Sequence, residues 1–362
     1  MPELSSVTSP GDPQHVVPVA KRGVRRGPTL DEVAARAGVS RSAASRAIND
    51  AGHVSRAKRD AVLKAAKDLG YAPNATARAL ATRKVGSVVL VVGNEDPTSF
   101  GAPFFSQIIV GIASALAKAE LDLTLLMASS DAGSRLERLL RSGRADGVML
   151  MATHGEDPLL RVTAATDIPV VFCGRPLTQE PRWYVDADNR GGARGATEHL
   201  LRSGRRRIAT ITGPMDLETS VARYRGFADA MANEGLGSGW AEEADFTPDG
   251  GAEAMTRLLD AHPELDAVFA GSDNMAAGAM RVLHARGRTV PGDVAVVGFD
   301  DLGTAAQTEP ALTTVSQPLD ALGHETASML VRLIAGESPS PIILPTRLVV
   351  RASAPGPAAE GP

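Results

Sequence analysis

Cysteine is nearly missing: Cys173 is the only one in 362 residues. That excludes an intrachain disulfide and any metal site built on several cysteines, and it fits a reducing cytoplasm. Aromatic residues make up only 4% of the chain, so its core has to be assembled from Ala, Val, Leu and Ile. The hydrophobic share of 43% is still that of a globular protein. No long apolar run occurs, and the stretch Ser87–Val92 is far shorter than the roughly 20 residues that span a bilayer. The opening MPELSSVTSPGDPQ has neither a basic head nor an apolar stretch, so no secretory signal is expected. Enzyme fingerprints are missing as well. No G-x-G-x-x-G follows a strand, and there is no Walker loop, G-x-S-x-G or H-E-x-x-H. Gly191, Gly192 and Gly195 have the wrong spacing for a phosphate cradle and read as a loop entering a helix. The seven histidines are scattered, with no pair at metal-ligand spacing on a helix. No catalytic residue, cofactor or metal is expected.

Charge is present in balance but not evenly. The net charge is −4. Residues 21–84 hold 15 Lys and Arg against 5 Asp and Glu, and five of the six lysines. Residues 85–362 hold 23 basic against 35 acidic residues. A positive module on an acidic body suits a polyanion binder, because only the module is drawn to phosphates.

Within that module, TLDEVAARAGVSRSAASRAIN (29–49) reads as two short helices joined by a glycine turn. Thr29 can cap the first, with Glu32 completing a capping box. Val33, Ala34 and Ala37 share one face, and Gly38 ends the helix. Ser40 can cap the second helix, which carries Arg41, Ser42, Ser45 and Arg46 among small residues. Such a helix fits a DNA major groove; an ordinary helix pair with solvated arginines is the alternative. Ser55 is expected to cap a third helix, Arg56–Leu69, with Val62, Leu63, Ala66 and Leu69 inward and Gly70 closing it.

These residues resemble the helix-turn-helix of the LacI family of bacterial transcription regulators. Thr29, Glu32–Ala34, Ala37–Ser40, Ser45–Arg46 and Asn49 stand where the family pattern has them. So do Val54–Ser55, Leu69–Tyr71, Pro73–Asn74 and Ala77–Leu80. Ala43–Ala44 replace the usual Thr-Val, so the phosphate contact of that Thr is not expected. The resemblance implies that residues 74–84 form a hinge helix that folds only on DNA, paired with its copy in a dimer. Asn74, Ala77 and Arg78 belong to it, and Leu80 matches a leucine wedge driven into the minor groove.

From Val85 strands and helices alternate, the signature of a parallel doubly wound sheet. Two such series resemble the type I periplasmic-binding-protein fold. The expected fold is thus an all-α helix-turn-helix headpiece with a hinge helix, followed by an α/β two-subdomain body. The expected divisions are a disordered tail (1–27), the DNA-binding domain (28–73), the hinge (74–84), the effector-binding domain (85–352) and a disordered tail (353–362). The N-subdomain would comprise about 85–185 plus 317–342, and the C-subdomain about 186–316 plus 343–352. A single last strand is expected at 343–351.

The same resemblance assigns Arg223 and Asp300 to the effector, Phe246 to stacking on it, and Ser272, Asp273 and Phe105 to the cleft walls. It implies a cytoplasmic, dimeric repressor of double-stranded operator DNA, controlled by a small molecule such as a sugar. A solute-binding protein of a transport system is the alternative. The missing export signal and the basic module oppose it.

Overall fold

The computed structural model describes residues 27–49, 54–72, 84–93, 103–127, 131–237 and 239–356. Most of the expected N-terminal tail and hinge, including Asn74, Ala77, Arg78 and Leu80, lies outside the described residues. The chain divides into two compact units, Met1–Ala81 and Thr82–Pro362.

In the first unit, α1 (Leu30–Ala37) starts in a capping box. Glu32 N–H donates to Thr29 Oγ1 at 3.3 Å, and Thr29 N–H donates to Glu32 Oε2 at 2.7 Å. It ends at Gly38, whose φ of 65° would strain any side chain. α2 (Arg41–Ile48) is capped by Ser40 Oγ, which accepts from Ala43 N–H at 3.3 Å. α3 (Arg56–Leu69) stops at Gly70. Ser55 occupies its N-cap position, but its hydroxyl makes no capping bond, contrary to expectation. Val33, Ala34, Ala44, Ala47, Val62 and Ala65 form the core. Leu63 is 46% exposed rather than inward. One residue past Val62 on a 100° helical step, it turns onto the outer face.

The second unit holds two six-stranded sheets. The first runs β11-β5-β4-β3-β1-β2 and is wholly parallel. Its strands are β1 (Ser87–Val92), β2 (Asp122–Met127), β3 (Gly147–Met151), β4 (Val170–Cys173), β5 (Tyr184–Ala187) and β11 (Ile342–Leu344). The second runs β12-β10-β9-β8-β6-β7, parallel except for β12. It comprises β6 (Ile208–Thr212), β7 (Trp240–Glu243), β8 (Ala267–Ala270), β9 (Ala295–Asp300), β10 (Thr313–Ser316) and β12 (Arg347–Val349). Central strands such as VVLVV in β1 and GVMLM in β3 are buried along their length, because helices cover both faces of a parallel sheet. On the first sheet lie α4 (Pro103–Lys118), α5 (Ala132–Arg141), α6 (Pro158–Ala164) and α12 (Leu319–Ile334). The second carries α7 (Asn189–Arg202), α8 (Glu218–Asn233), α9 (Pro248–Ala261), α10 (Asp273–Ala285) and α11 (Gly303–Gln307). No helix among the described residues is long and apolar enough to cross a membrane.

The chain passes between the sheets three times: after β5, after β10 and after β11. The crossings after β5 and after β11 lie together. Asp188 N–H donates to Leu344 O at 2.9 Å, and Thr346 Oγ1 donates to Asp188 O at 3.2 Å. Three expectations change here. The single strand at 343–351 is two strands in different sheets, because Pro345 and Thr346 carry the chain across. The first sheet therefore extends through Ala187 and Leu344, beyond the expected subdomain edges at 185 and 342. Gly191, Gly192 and Gly195 lie inside α7 rather than before it, because Asp188 caps the helix through Gly191 N–H at 2.8 Å.

The expected tail from residue 353 also begins as structure. Ser353 is fully buried; its Oγ donates to Val296 O at 2.6 Å and accepts from Thr313 N–H at 2.8 Å. Ala354 is buried beside it, and its carbonyl meets His199 Nε2 at 2.8 Å. Ser353→Ala should leave the Thr313 N–H unsatisfied and cost about 1–3 kcal/mol in urea unfolding. A change below a few tenths would return this segment to a passive tail.

Candidate ligand cleft and DNA-reading surface

On the first unit, Thr29, Ser40, Arg41, Ser42, Arg46 and Asn49 are exposed, and Ser45 is half-buried. α2 turns Ala44 and Ala47 into the core and leaves its arginines outside. Arg41 Nε lies 3.3 Å from Asp31 Oδ1, with both side chains about 70% exposed. Such a pair contributes at most about 1 kcal/mol and yields readily to a better acceptor. Asn49 Nδ2 donates to Ser45 Oγ at 3.4 Å.

In the second unit, polar side chains gather at the carboxyl ends of the strands and at the crossings, where open α/β sheets take their ligands. Arg223, on α8, is 4% exposed. Its Nε donates to Asn189 Oδ1 at 2.9 Å and its Nη1 to the Gly271 carbonyl. Its Nη2 lies 3.3 Å from Asp300 Oδ1, and the guanidinium sits 3.9 Å over the Phe299 ring. Three of its five N–H groups are thus committed to the protein. Burial pushes its pKa down, and Asp300, Asp186 and Asp273 oppose the shift. A guanidinium so surrounded stays charged.

Asp300 ends β9 and accepts from Gln317 Nε2 at 2.7 Å. Burial raises its pKa to about 6, against the pull of Arg223 and Gln317. Its φ is 106° and that of Asp301 is 58°. Two consecutive side chains in that region cost roughly 1–3 kcal/mol each, a strain that clusters at ligand sites. Asp301 is held by Arg351 Nη2 at 2.7 Å. Phe246, with φ 64°, lays its ring against Gly213, where a Cβ would meet ring carbons at 2.1–2.6 Å.

Sequence reasoning missed the other half of this site. Arg175, just after β4, donates from Nε to Asp186 Oδ2 at 2.9 Å and pairs through Nη2 with Glu218 Oε1 at 3.2 Å. Asp186 accepts from Asn189 Nδ2 at 3.2 Å. One polar chain therefore runs Glu218–Arg175–Asp186–Asn189–Arg223–Asp300–Gln317 through two crossings. Burial raises the pKa of both Asp186 and Glu218, and Arg175 opposes it. Glu218 Oε2 and Ser220 Oγ are buried without a hydrogen-bond partner among the described residues, which calls for a hydroxyl or water beside them. The only sequence signal was position, directly after a strand end.

Three expected wall residues are engaged by the protein itself. Asp273 has no exposed surface; its Oδ2 accepts from Leu302 N–H at 2.7 Å and its Oδ1 from the Thr314 hydroxyl. Burial, then the charge of Asp300, raises its pKa to about 8. Ser272 caps α10 by accepting from Met275 N–H at 3.3 Å. Phe105 packs in the first sheet's core, edge-on to Phe104 at 5.3 Å between centroids. A concavity of about 500 Å³ near Arg205, Arg207, Asp266 and Arg288 lies at the amino ends of the second sheet. Its arginines are committed: Arg205 to the carbonyls of Pro291 and Asp266, and Arg207 to Asp266.

A basic two-helix reader ahead of a two-sheet cleft defines a ligand-responsive DNA regulator. The profile of bacterial regulatory proteins of the lacI family matches residues 29–74, and that of periplasmic binding protein-like domains matches 197–354. The chain is 45% identical to the HTH-type transcriptional regulator CelR of Thermobifida fusca, over 91% of this chain and 99% of that one. It is 33% identical to the HTH-type transcriptional regulator AscG of Escherichia coli K12, over 86% and 94%. Among solved structures, a CelR–cellobiose complex aligns with TM-score 0.72 and 42% identity, covering 90% of this chain and 99% of that one. A lac repressor dimer bound to operator and the anti-inducer ONPF aligns with TM-score 0.79 and 27% identity, covering 91% and 100%. The protein belongs to the LacI family of bacterial transcription regulators.

Proposed function

We propose that this protein is a cytoplasmic, homodimeric repressor that reads pseudo-palindromic DNA and answers to a neutral sugar of the cellobiose type, with no catalytic activity. The observation that carries the ligand class is the charge pairing of the cleft. Arg175 is matched by Asp186 and Glu218, and Arg223 by Asp300. With no surplus cation in this pairing among the described residues, the site disfavours phosphates and acids. The donors of Arg223 and the acceptors of Asp300 and Glu218 suit hydroxyls, and Phe246 offers a face to a sugar ring. The relative bound to cellobiose supports the same class.

On DNA, Arg46 and Arg41 contact guanines, Ser42 is a short reader, and Thr29, Ser40, Ser45 and Asn49 approach phosphates. The hinge residues Asn74, Ala77, Arg78 and Leu80 keep the roles that the family pattern gives them. Each bidentate arginine–guanine pair contributes about 1–3 kcal/mol of discrimination. Arg46→Ala should therefore relax preference at one position of each half-site, read by fluorescence anisotropy on a panel of single-base variants. An equal loss on every sequence would make Arg46 a phosphate contact. Isothermal titration with cellobiose and with cellobiose 6-phosphate tests the ligand class. Binding of the neutral sugar alone is expected; preference for the phosphate would overturn it.

A further inference from the structure

Two loops from different sheets meet away from the crossings. His154 follows β3, where the chain turns sharply at Ala152, φ 53°. Asp216 follows β6 and stands two residues before Glu218 at the start of α8. His154 Nδ1 lies 3.0 and 3.1 Å from the two oxygens of Asp216. A carboxylate only accepts, so Nδ1 carries the proton. Gly155 N–H donates to Asp216 O at 2.9 Å, and Thr178 Oγ1 braces the same turn by donating to Gly155 O at 3.1 Å. Next to it, the Arg175–Glu218 pair makes a second link between the sheets.

We propose that His154, Gly155 and Asp216 form a clasp that holds the two sheets of the body closed over the cleft and so sets its affinity for ligand. Covalent continuity already joins the sheets at the three crossings, and no contact there requires the strand ends of β3 and β6 to meet. The clasp residues touch neither Arg223 nor Asp300, so they position the walls rather than hold ligand. Their exposure fits an adjustable device. The side chains are 35% and 53% exposed. A hydrogen bond that wet opens and closes readily, and losing it changes affinity by about two- to five-fold rather than abolishing it. The device acts on the cleft described under the proposed function, but its geometry does not depend on which ligand the cleft takes.

The test uses the full chain with spin labels at Arg161→Cys on α6 and Glu253→Cys on α9, both exposed. Cys173 is buried and its thiol is pushed up to about 12 by that burial, so it does not compete for label. Unlabelled chain in excess restricts the signal to distances within one subunit. The wild type should show one dominant short distance. His154→Ala and Asp216→Ala should each move population to longer distances, and the double variant should go no further than either single. Single variants with the wild-type distribution would overturn the clasp. Cellobiose affinity should fall about two- to five-fold in the same variants. If cellobiose fails to bind the wild type, the ligand assignment fails, and the distances still decide the clasp.

Discussion

Replacing Arg223 with methionine should destabilise the body by about 3–5 kcal/mol and remove its response to ligand. The size follows from what the substitution leaves behind. Arg223 is almost fully buried and neutralises Asp300 while holding Asn189 and the Gly271 carbonyl. Removing one member of a buried pair strands the other's charge in a medium that cannot solvate it. Both tryptophans, Trp183 and Trp240, lie in the second unit, so their fluorescence in urea reports on the body. Adding Asp300→Asn to Arg223→Met should recover part of the loss, because the stranded charge is gone. A cost below about 1 kcal/mol, or no recovery, would mean that the pair is not the keystone of the cleft. The headpiece core is separate, so DNA binding should survive while its dependence on ligand disappears.

The second large effect is a dependence on pH opposite to the usual acid denaturation. Asp273 is raised to about 8 and Asp300 to about 6. An unfolded aspartate titrates near ~3.9. Between those values the folded chain binds more protons than the unfolded chain, so stability falls as pH rises. These two groups contribute fully below about pH 4, and their contribution is lost through pH 6 and then through pH 8. The steepest slope one group can give is about 1.4 kcal/mol per pH unit. Asp273→Asn keeps an acceptor for Leu302 N–H and gains a donor toward Thr314, with no charge to bury. It should flatten the profile between pH 6 and 8.5 and make the body more stable than wild type at the alkaline end. A variant profile with the wild-type slope would show that Asp273 is already ionised when folded.

Much of the architecture was legible because its signals are local. The capping box at Thr29 and Glu32, the glycine stop at Gly38 and the continuous apolar strands β1, β3, β6 and β9 all speak within a few residues. The half-polar strands YVDA (β5) and WAEE (β7) carry no such periodicity, and their existence depends on neighbours far away in sequence. The Ala/Pro/Gly composition after Arg351 resembled a tail, yet Ser353 is held by two backbone groups distant in the chain. The site divides the same way. Arg223, Phe246 and Asp300 were named through the family pattern. Arg175, Asn189 and Glu218 are joined only because the fold brings the loops after β4, β5 and β6 together. Asp273 could not be told from a ligand contact without knowing that Leu302 and Thr314 already take both its oxygens.

Occupancy of the body's cleft is expected to govern how firmly the headpiece holds duplex DNA. The most direct test selects a preferred duplex from a randomised pseudo-palindromic pool with the full chain, then follows fluorescence anisotropy as cellobiose is added. Salt-sensitive binding whose affinity shifts with cellobiose in the wild type, stays fixed in Arg223→Met and vanishes on deleting residues 1–84 is the predicted result. Tight cellobiose binding with no effect on DNA affinity, or no DNA binding even at low salt, would contradict it.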